Sequence, residues 1–228
     1  MKDITNMFDP ERGRMQVVAF ASGSGTNFRE AVIESKKPDS NFDIRLLITD
    51  KKVKKGTDED IGAIKYAHEY HIPVRTVNGF EACGSWQKAQ ENVSGLRAYH
   101  KRSIDFSQRL YNEIVEFESS MGIKFDLALL AGYMRFFQGS LLRRFIRSAI
   151  NVHPARLDKF FPEGNRKFTG ENAVYDALID DEPSTRSSII LLDAEADGGS
   201  ILSLGPRVPY TGKYPVTQEE ADKHQNLQ

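Results

Sequence analysis

Short β-rich apolar runs alternate with helical patterns along most of this chain, and that alternation restricts the fold more than any other feature. Strands that are apolar on both faces need cover on both, and crossover helices between parallel strands supply it. Val17–Phe20, Ile44–Ile48, Ile72–Val77, Phe125–Gly132, Ala149–His153, Ser188–Leu192 and Ile201–Leu204 read as strands. Asn27–Ser35, with Phe28, Ala31 and Val32 on one face, reads as a helix, as do Ile61–Tyr70, Ser103–Phe117, Ser140–Arg147 and Asn172–Ile179. Phe125–Gly132 is the strongest apolar run and should be a central strand, while Pro73 favours an edge or a strand end. Gly79, Gly84 and Gly95 break the pattern ahead of the Ser103 helix. The expected class is α/β, a mostly parallel twisted sheet with helices on both faces. One catalytic domain is expected over residues 15–210, with an N-terminal extension at 1–14 and a C-terminal tail at 211–228.

Composition narrows the function classes. The formal net charge of −1 gives no basic excess for tracking phosphates, so nucleic acid is not the expected partner. Cys83 is the only cysteine, which rules out an intrachain disulfide and a thiolate cluster for zinc. Met1–Arg14 is polar and lacks the apolar core of a signal peptide, and no apolar run is long enough to span a bilayer. A cytoplasmic protein without membrane or nucleic-acid partners is the expectation. The sequence leaves the oligomeric state open.

Ser22–Asn27, Ser-Gly-Ser-Gly-Thr-Asn, lies between the first strand and the first helix. Glycines there permit close backbone approach, and a helix start offers unpaired N–H groups to an anion. Thr26 and Asn27 could add side-chain donors or cap the helix. A dinucleotide fingerprint would want a small residue at Phe28, and a P-loop would need Gly-Lys-Ser/Thr, so neither fits. The loop reads equally well as a phosphate cradle and as a tight strand-to-helix turn.

Asn151 and His153 are two apart on a predicted strand, so both side chains point to one face, and Pro154 should end the strand just after them. An amide donor beside an imidazole can stabilise an oxyanion while the histidine manages a proton. Asp197, in a loop bounded by glycines, could favour the imidazolium form of His153. Taken singly, His153 reads as a strand-end histidine satisfied by backbone and Asp197 as a turn residue. No second histidine stands at ligand spacing from His153, so no metal is implied. His68, His71, His100 and His224 have nothing organised around them, and Cys83 has no oriented base.

Together and in this order, the motifs resemble the phosphoribosylglycinamide formyltransferases of the folate-dependent formyltransferase superfamily, from about Val17 to Pro209. Ser22–Asn27 is similar to the family's phosphate loop, and Leu130–Arg135 to its central strand and the start of its folate segment. Asn151–Pro154 is similar to the catalytic strand, and Asp193–Gly199 to the loop of the catalytic aspartate. The resemblance implies a Rossmann-like fold. It also implies formyl transfer from 10-formyltetrahydrofolate, as co-substrate, to the amine of glycinamide ribonucleotide in purine biosynthesis. Gly25, Thr26 and Asn27 would hold the nucleotide phosphate. Met134, Arg135, Phe136 and Phe137, with Asp193, Ala194, Glu195 and Ala196, would contact the pterin, and Arg102 would be a further folate contact. Asn151 and protonated His153 would stabilise the oxyanion, and Asp197 would keep His153 charged and help relay a proton through water.

The chain also departs from that pattern. It is longer between Val77 and Phe125, which implies an added loop or helix near the folate entrance. Phe168–Asn172 stands where the family carries a histidine-containing Gly-x-His segment, and Ile190 stands where a histidine often precedes the catalytic aspartate. It stops at Gln228, ahead of elements that usually complete the nucleotide site. A different amine acceptor, such as a nucleotide sugar, therefore stays open, as does a non-catalytic folate- or nucleotide-binding relative. A formyltetrahydrofolate hydrolase would carry an N-terminal regulatory domain, for which the residues before Val17 are too few. A methionyl-tRNA formyltransferase would need a C-terminal RNA-binding domain.

Overall fold

The computed structural model describes residues 8–54 and 56–227, in two compact units, Met1–Ala149 and Ile150–Gln228. The first seven residues of the expected N-terminal extension, and Lys55 in the charged loop after the second strand, lie outside the described residues. Pro10–Arg12 forms a short 3-10 turn.

In the first unit β1 (Met15–Phe20), β2 (Phe42–Thr49), β3 (Val74–Thr76) and β4 (Leu127–Leu130) are parallel, in the order β3-β2-β1-β4. The interior strands are apolar on both sides for the reason the sequence suggests. Val18, Ala19, Phe20, Leu46, Leu47 and Ile48 are wholly buried. Parallel neighbours need crossovers, supplied by α1 (Thr26–Ser35) after β1, α2 (Gly62–Glu69) after β2 and α5 (Val93–Met121) before β4. Two short helices, α3 (Gly79–Cys83) and α4 (Trp86–Ala89), fill the added stretch, each started by a side-chain cap from Asn78 or Ser85. α6 (Gly139–Arg144) follows β4.

α5 is 29 residues long, well beyond the expected Ser103–Phe117. Gly95 does not break it, because in the first turn the amide has no intrahelical partner and the Asn92 side chain accepts its N–H at 2.7 Å. The helix ends at Gly122, whose φ of +63° suits glycine. Near that end Glu118 is buried and its carboxylate accepts the Phe125 amide at 2.7 Å and Arg144 at 2.9 Å, with Lys124 at 3.1 Å. The approach to β4 is thereby pinned to α5.

In the second unit β5 (Ala149–His153, in this unit from Ile150 on), β7 (Ser188–Leu191) and β8 (Ile201–Leu204) pair antiparallel, in the order β5-β7-β8. The α/β class with a mostly parallel sheet expected from the sequence holds, and these antiparallel strands are the part of it that is not parallel. β7 and β8 are joined by a turn-rich loop with no crossover helix, so only an antiparallel return is open to them. β6 (Ser184–Thr185) and β9 (Val208–Pro209) form a separate small ladder. α7 (Ala173–Ile179) packs Ala173 and Ala177 against Ala155 and Phe168, and Val174 and Leu178 against Val216 and Ala221. Ala221 belongs to α8 (Gln218–Gln225), which a Thr217–Glu220 capping box starts, so the stretch expected as a tail carries a packed helix. His224 is buried there, 2.8 Å from the Thr185 hydroxyl.

Candidate active site

All three predicted catalytic residues fall in the second unit. Asn151 and His153 share one face of β5, and Pro154 follows the strand end as expected. The His153 side chain is only 4% exposed. Its Nδ1 lies 3.5 Å from Asp197 Oδ1, and its Nε2 lies 2.7 Å from the Phe168 carbonyl oxygen. A carbonyl can only accept, so Nε2 carries a proton toward Phe168, while Nδ1 faces the carboxylate. Burial pushes the Asp197 carboxyl up, but His153, the Gly170 N–H and Arg166 outweigh it and hold the group below the usual carboxylate range. An ionised aspartate therefore faces the imidazole. Across the ladder, Asn151 is opposite Ile190, which is 1% exposed and part of the apolar interior.

The backbone that presents Asp197 is unusual. Asp197 has φ +53° and Phe168 has φ +56°, both left-handed and uncommon for side chains of their size. The Gly170 N–H donates to Asp197 Oδ2 at 2.9 Å, and Arg166 donates to the Asp197 carbonyl. Gly199 is required next door, because a Cβ there would sit 1.6 Å from the Leu191 carbonyl oxygen. Sequence reasoning missed Arg166 and Gly170. The available signal was the Pro162–Asn165 turn, which folds the loop back so that Phe160 and Arg166 bridge. Asp193, Ala194, Glu195 and Ala196 form an exposed loop, with Asp193 accepting the Glu195 amide at 2.9 Å.

The predicted phosphate loop belongs to the first unit. Gly25, at φ +72°, is the N-cap of α1, and no side chain caps the helix. Thr26 and Asn27 lie inside the first turn rather than capping it, and both are exposed, with no acidic residue in that turn. The helix start thus keeps its amides free of side-chain partners for an anion. Ser22 ties this loop to the one after β4. Its N–H donates to Gly132 O at 3.0 Å and its hydroxyl accepts the Met134 N–H at 3.0 Å.

The predicted folate segment divides by role. Met134 is 51% exposed and Phe136 is half-buried, packed edge-on against Trp86 at 5.1 Å, so the added stretch between β3 and α5 reaches this segment. Phe137 is in the core against Phe20, with ring centroids 4.7 Å apart. Arg135 is mostly buried and donates to Asp50 at 2.9 Å, with Tyr99 and the Gly84 carbonyl as further partners. Arg102 donates to the Cys83 carbonyl at 3.0 Å, which makes it a tie on the added segment. Among the described residues no group of three or more His, Cys, Asp or Glu side chains could hold a metal ion, and no helix is long and apolar enough to cross a membrane.

Among solved structures the chain is similar to glycinamide ribonucleotide transformylase 1 from Geobacillus kaustophilus. The TM-score is 0.63 at 22% identity, covering 94% of this chain and 92% of that one. Phosphoribosylglycinamide formyltransferase from Bacillus halodurans gives a TM-score of 0.61 at 24% identity, with 93% and 90% covered. These likenesses show a shared fold. Among curated relatives, the chloroplastic phosphoribosylglycinamide formyltransferase of Arabidopsis thaliana is 30% identical over 155 residues, 68% of this chain and 42% of that protein. The human trifunctional purine biosynthetic protein adenosine-3 is 24% identical over 204 residues, 87% of this chain and 16% of that protein. The chain spans less than half the length of either relative. The family model described as Formyl transferase matches residues 15–206, and a match of this extent makes the chain a member of the formyl transferase family.

Proposed function

We propose that this protein transfers a formyl group from 10-formyltetrahydrofolate to the amine of glycinamide ribonucleotide. The observation that carries the reading is the Asn151, His153 and Asp197 arrangement, with His153 Nδ1 3.5 Å from an ionised, partly buried Asp197. When the amine attacks the formyl carbon, negative charge develops on the formyl oxygen. The Asn151 amide is the donor for that charge, and the His153 ring, whose nitrogens face Asp197 and the Phe168 carbonyl, stabilises it through its positive charge. Asp197 keeps the ring charged, and the proton lost by the amine passes through water to the departing folate nitrogen.

The uncapped start of α1, with Gly25, Thr26 and Asn27, suits the nucleotide phosphate. Exposed Met134 and half-buried Phe136 offer apolar surface for the pterin, with Asp193, Ala194, Glu195 and Ala196 as polar and backbone partners. Action in the cytoplasm, which a lone unpaired Cys83 suits, completes the reading.

The test is a single-turnover assay with glycinamide ribonucleotide and 10-formyltetrahydrofolate, comparing the parent with His153→Ala and Asp197→Asn. Formyl transfer by the parent, with each variant slowed about 100-fold or more, is the expected result. A parent that binds folate yet never formylates this amine would sink the reading. Nucleotide sugars run as alternative acceptors then decide between another amine and no catalysis.

A further inference from the structure

We propose that Arg166 is a positioning residue for the reaction, and that the Arg166–Gly170 segment clamps both members of the His153–Asp197 pair. The proposal rests on the formyl-transfer reading for its activity readout, while its geometry stands apart from that reading. Three contacts leave this one short segment. Arg166 donates to the Asp197 backbone carbonyl, the Gly170 amide donates to Asp197 Oδ2 at 2.9 Å, and the Phe168 carbonyl receives His153 Nε2 at 2.7 Å. Phe168 and Asp197 both hold left-handed backbone, which the bulky Phe168 side chain disfavours and aspartate tolerates better. The Arg166 and Gly170 contacts fasten Asp197 in that conformation.

The chemistry gives Arg166 a role beyond holding a loop. Asp197 faces three groups that favour its charged form, the His153 ring, the Gly170 N–H and the Arg166 guanidinium. Burial opposes them, so removing one cation shifts the balance toward the neutral acid. A neutral Asp197 no longer holds His153 as imidazolium, and the positive charge that stabilises the oxyanion is lost. Arg166 touches neither reacting atom in this scheme. It acts through Asp197.

Arg166→Gln and Arg166→Lys are compared with the parent in steady-state formyl transfer across pH, with urea unfolding on the same samples. For Arg166→Gln we expect kcat to fall about tenfold or more with KM for both substrates changed less than about twofold. The acid limb of the profile should move to higher pH. Arg166→Lys should restore the limb and part of kcat. Carboxyl-carbon NMR of Asp197 in the free protein reads the same effect without activity, as a titration midpoint moved upward in Arg166→Gln. An unchanged midpoint with unchanged kcat overturns the proposal. If Arg166→Gln does not fold, Arg166→Lys decides: a parental limb with lowered kcat supports the clamp, and parental kcat overturns it. If the parent transfers no formyl group, the functional reading fails, while the Asp197 titration still decides the clamp.

Discussion

Replacing Glu118 tests how the structure holds the approach to β4. Glu118 is 1% exposed and its three partners differ in weight. The Phe125 amide, at 2.7 Å, would be left without its acceptor in Glu118→Ala, at a cost of about 1–3 kcal/mol. Arg144, at 2.9 Å, would lose this carboxylate but keeps the Phe125 carbonyl and is 28% exposed. Its share therefore falls short of the roughly 3–5 kcal/mol of a fully buried pair, at about 1–2 kcal/mol. Lys124 is 73% exposed and adds close to nothing. Glu118→Ala should thus cost about 2–5 kcal/mol, read as a lower urea midpoint at neutral pH. Glu118→Gln keeps an acceptor for the Phe125 amide and should cost about half as much.

The pH dependence adds a second check on Glu118. Burial pushes its carboxyl up, but the Phe125 amide, Lys124 and Arg144 together bring it below the ordinary value. A depressed carboxylate contributes stability that is present above the unfolded pKa and lost as pH falls through the folded one. The gap between parent and Glu118→Gln should therefore close on acidification. A Glu118→Ala cost under about 1 kcal/mol, or a Glu118→Gln gap that stays constant into acid, would refute the reasoning.

Two further predictions concern the first unit. Gly25→Ala places a Cβ 2.4 Å from the Ala63 Cα at φ +72°, and should cost about 2 kcal/mol or more in urea unfolding. Gly23→Ala, with nothing within 4 Å, should leave the midpoint almost unmoved, and equal effects at the two sites would contradict the steric account. For Asp50 and Arg135, 5% and 14% exposed, a double-mutant cycle of Asp50→Ala and Arg135→Met should give a coupling of about 2 kcal/mol. Additive losses would mean that the ion pair contributes little.

Much of this molecule was legible as pattern. The runs that became β1, β2 and β4 are mostly apolar because their central residues are covered on both faces, and that property is visible without a structure. Asn151 and His153 were placed on one face by strand period alone, and Asp197 was found through its glycines, one of which the fold requires at Gly199. Strand direction was not legible, since β7 and β8 look like any buried strand and only the absence of a crossover between them decides their sense. The length of α5 was hidden by Gly95, which is harmless once it is known to lie in a capped first turn. α8 was hidden by its polarity, because it buries little beyond Ala221 and His224. Arg166 escaped for a deeper reason. Its partner is the backbone carbonyl of a residue with left-handed φ, and no side-chain pattern encodes that.

The crowding at Gly25 has a consequence for how the loop meets a ligand. Ala63 lies where a Gly25 side chain would stand, the Ser24 carbonyl fills the equivalent space at Gly62, and the Ala63 amide donates to Gly23 O at 3.3 Å. A loop braced against α2 at three successive residues has given up its freedom during folding. An anion reaching the amides at the start of α1 meets a cradle already shaped, so little of its binding free energy goes into ordering the chain. Affinity there should respond to the size and geometry of the anion much more than to anything that loosens the loop.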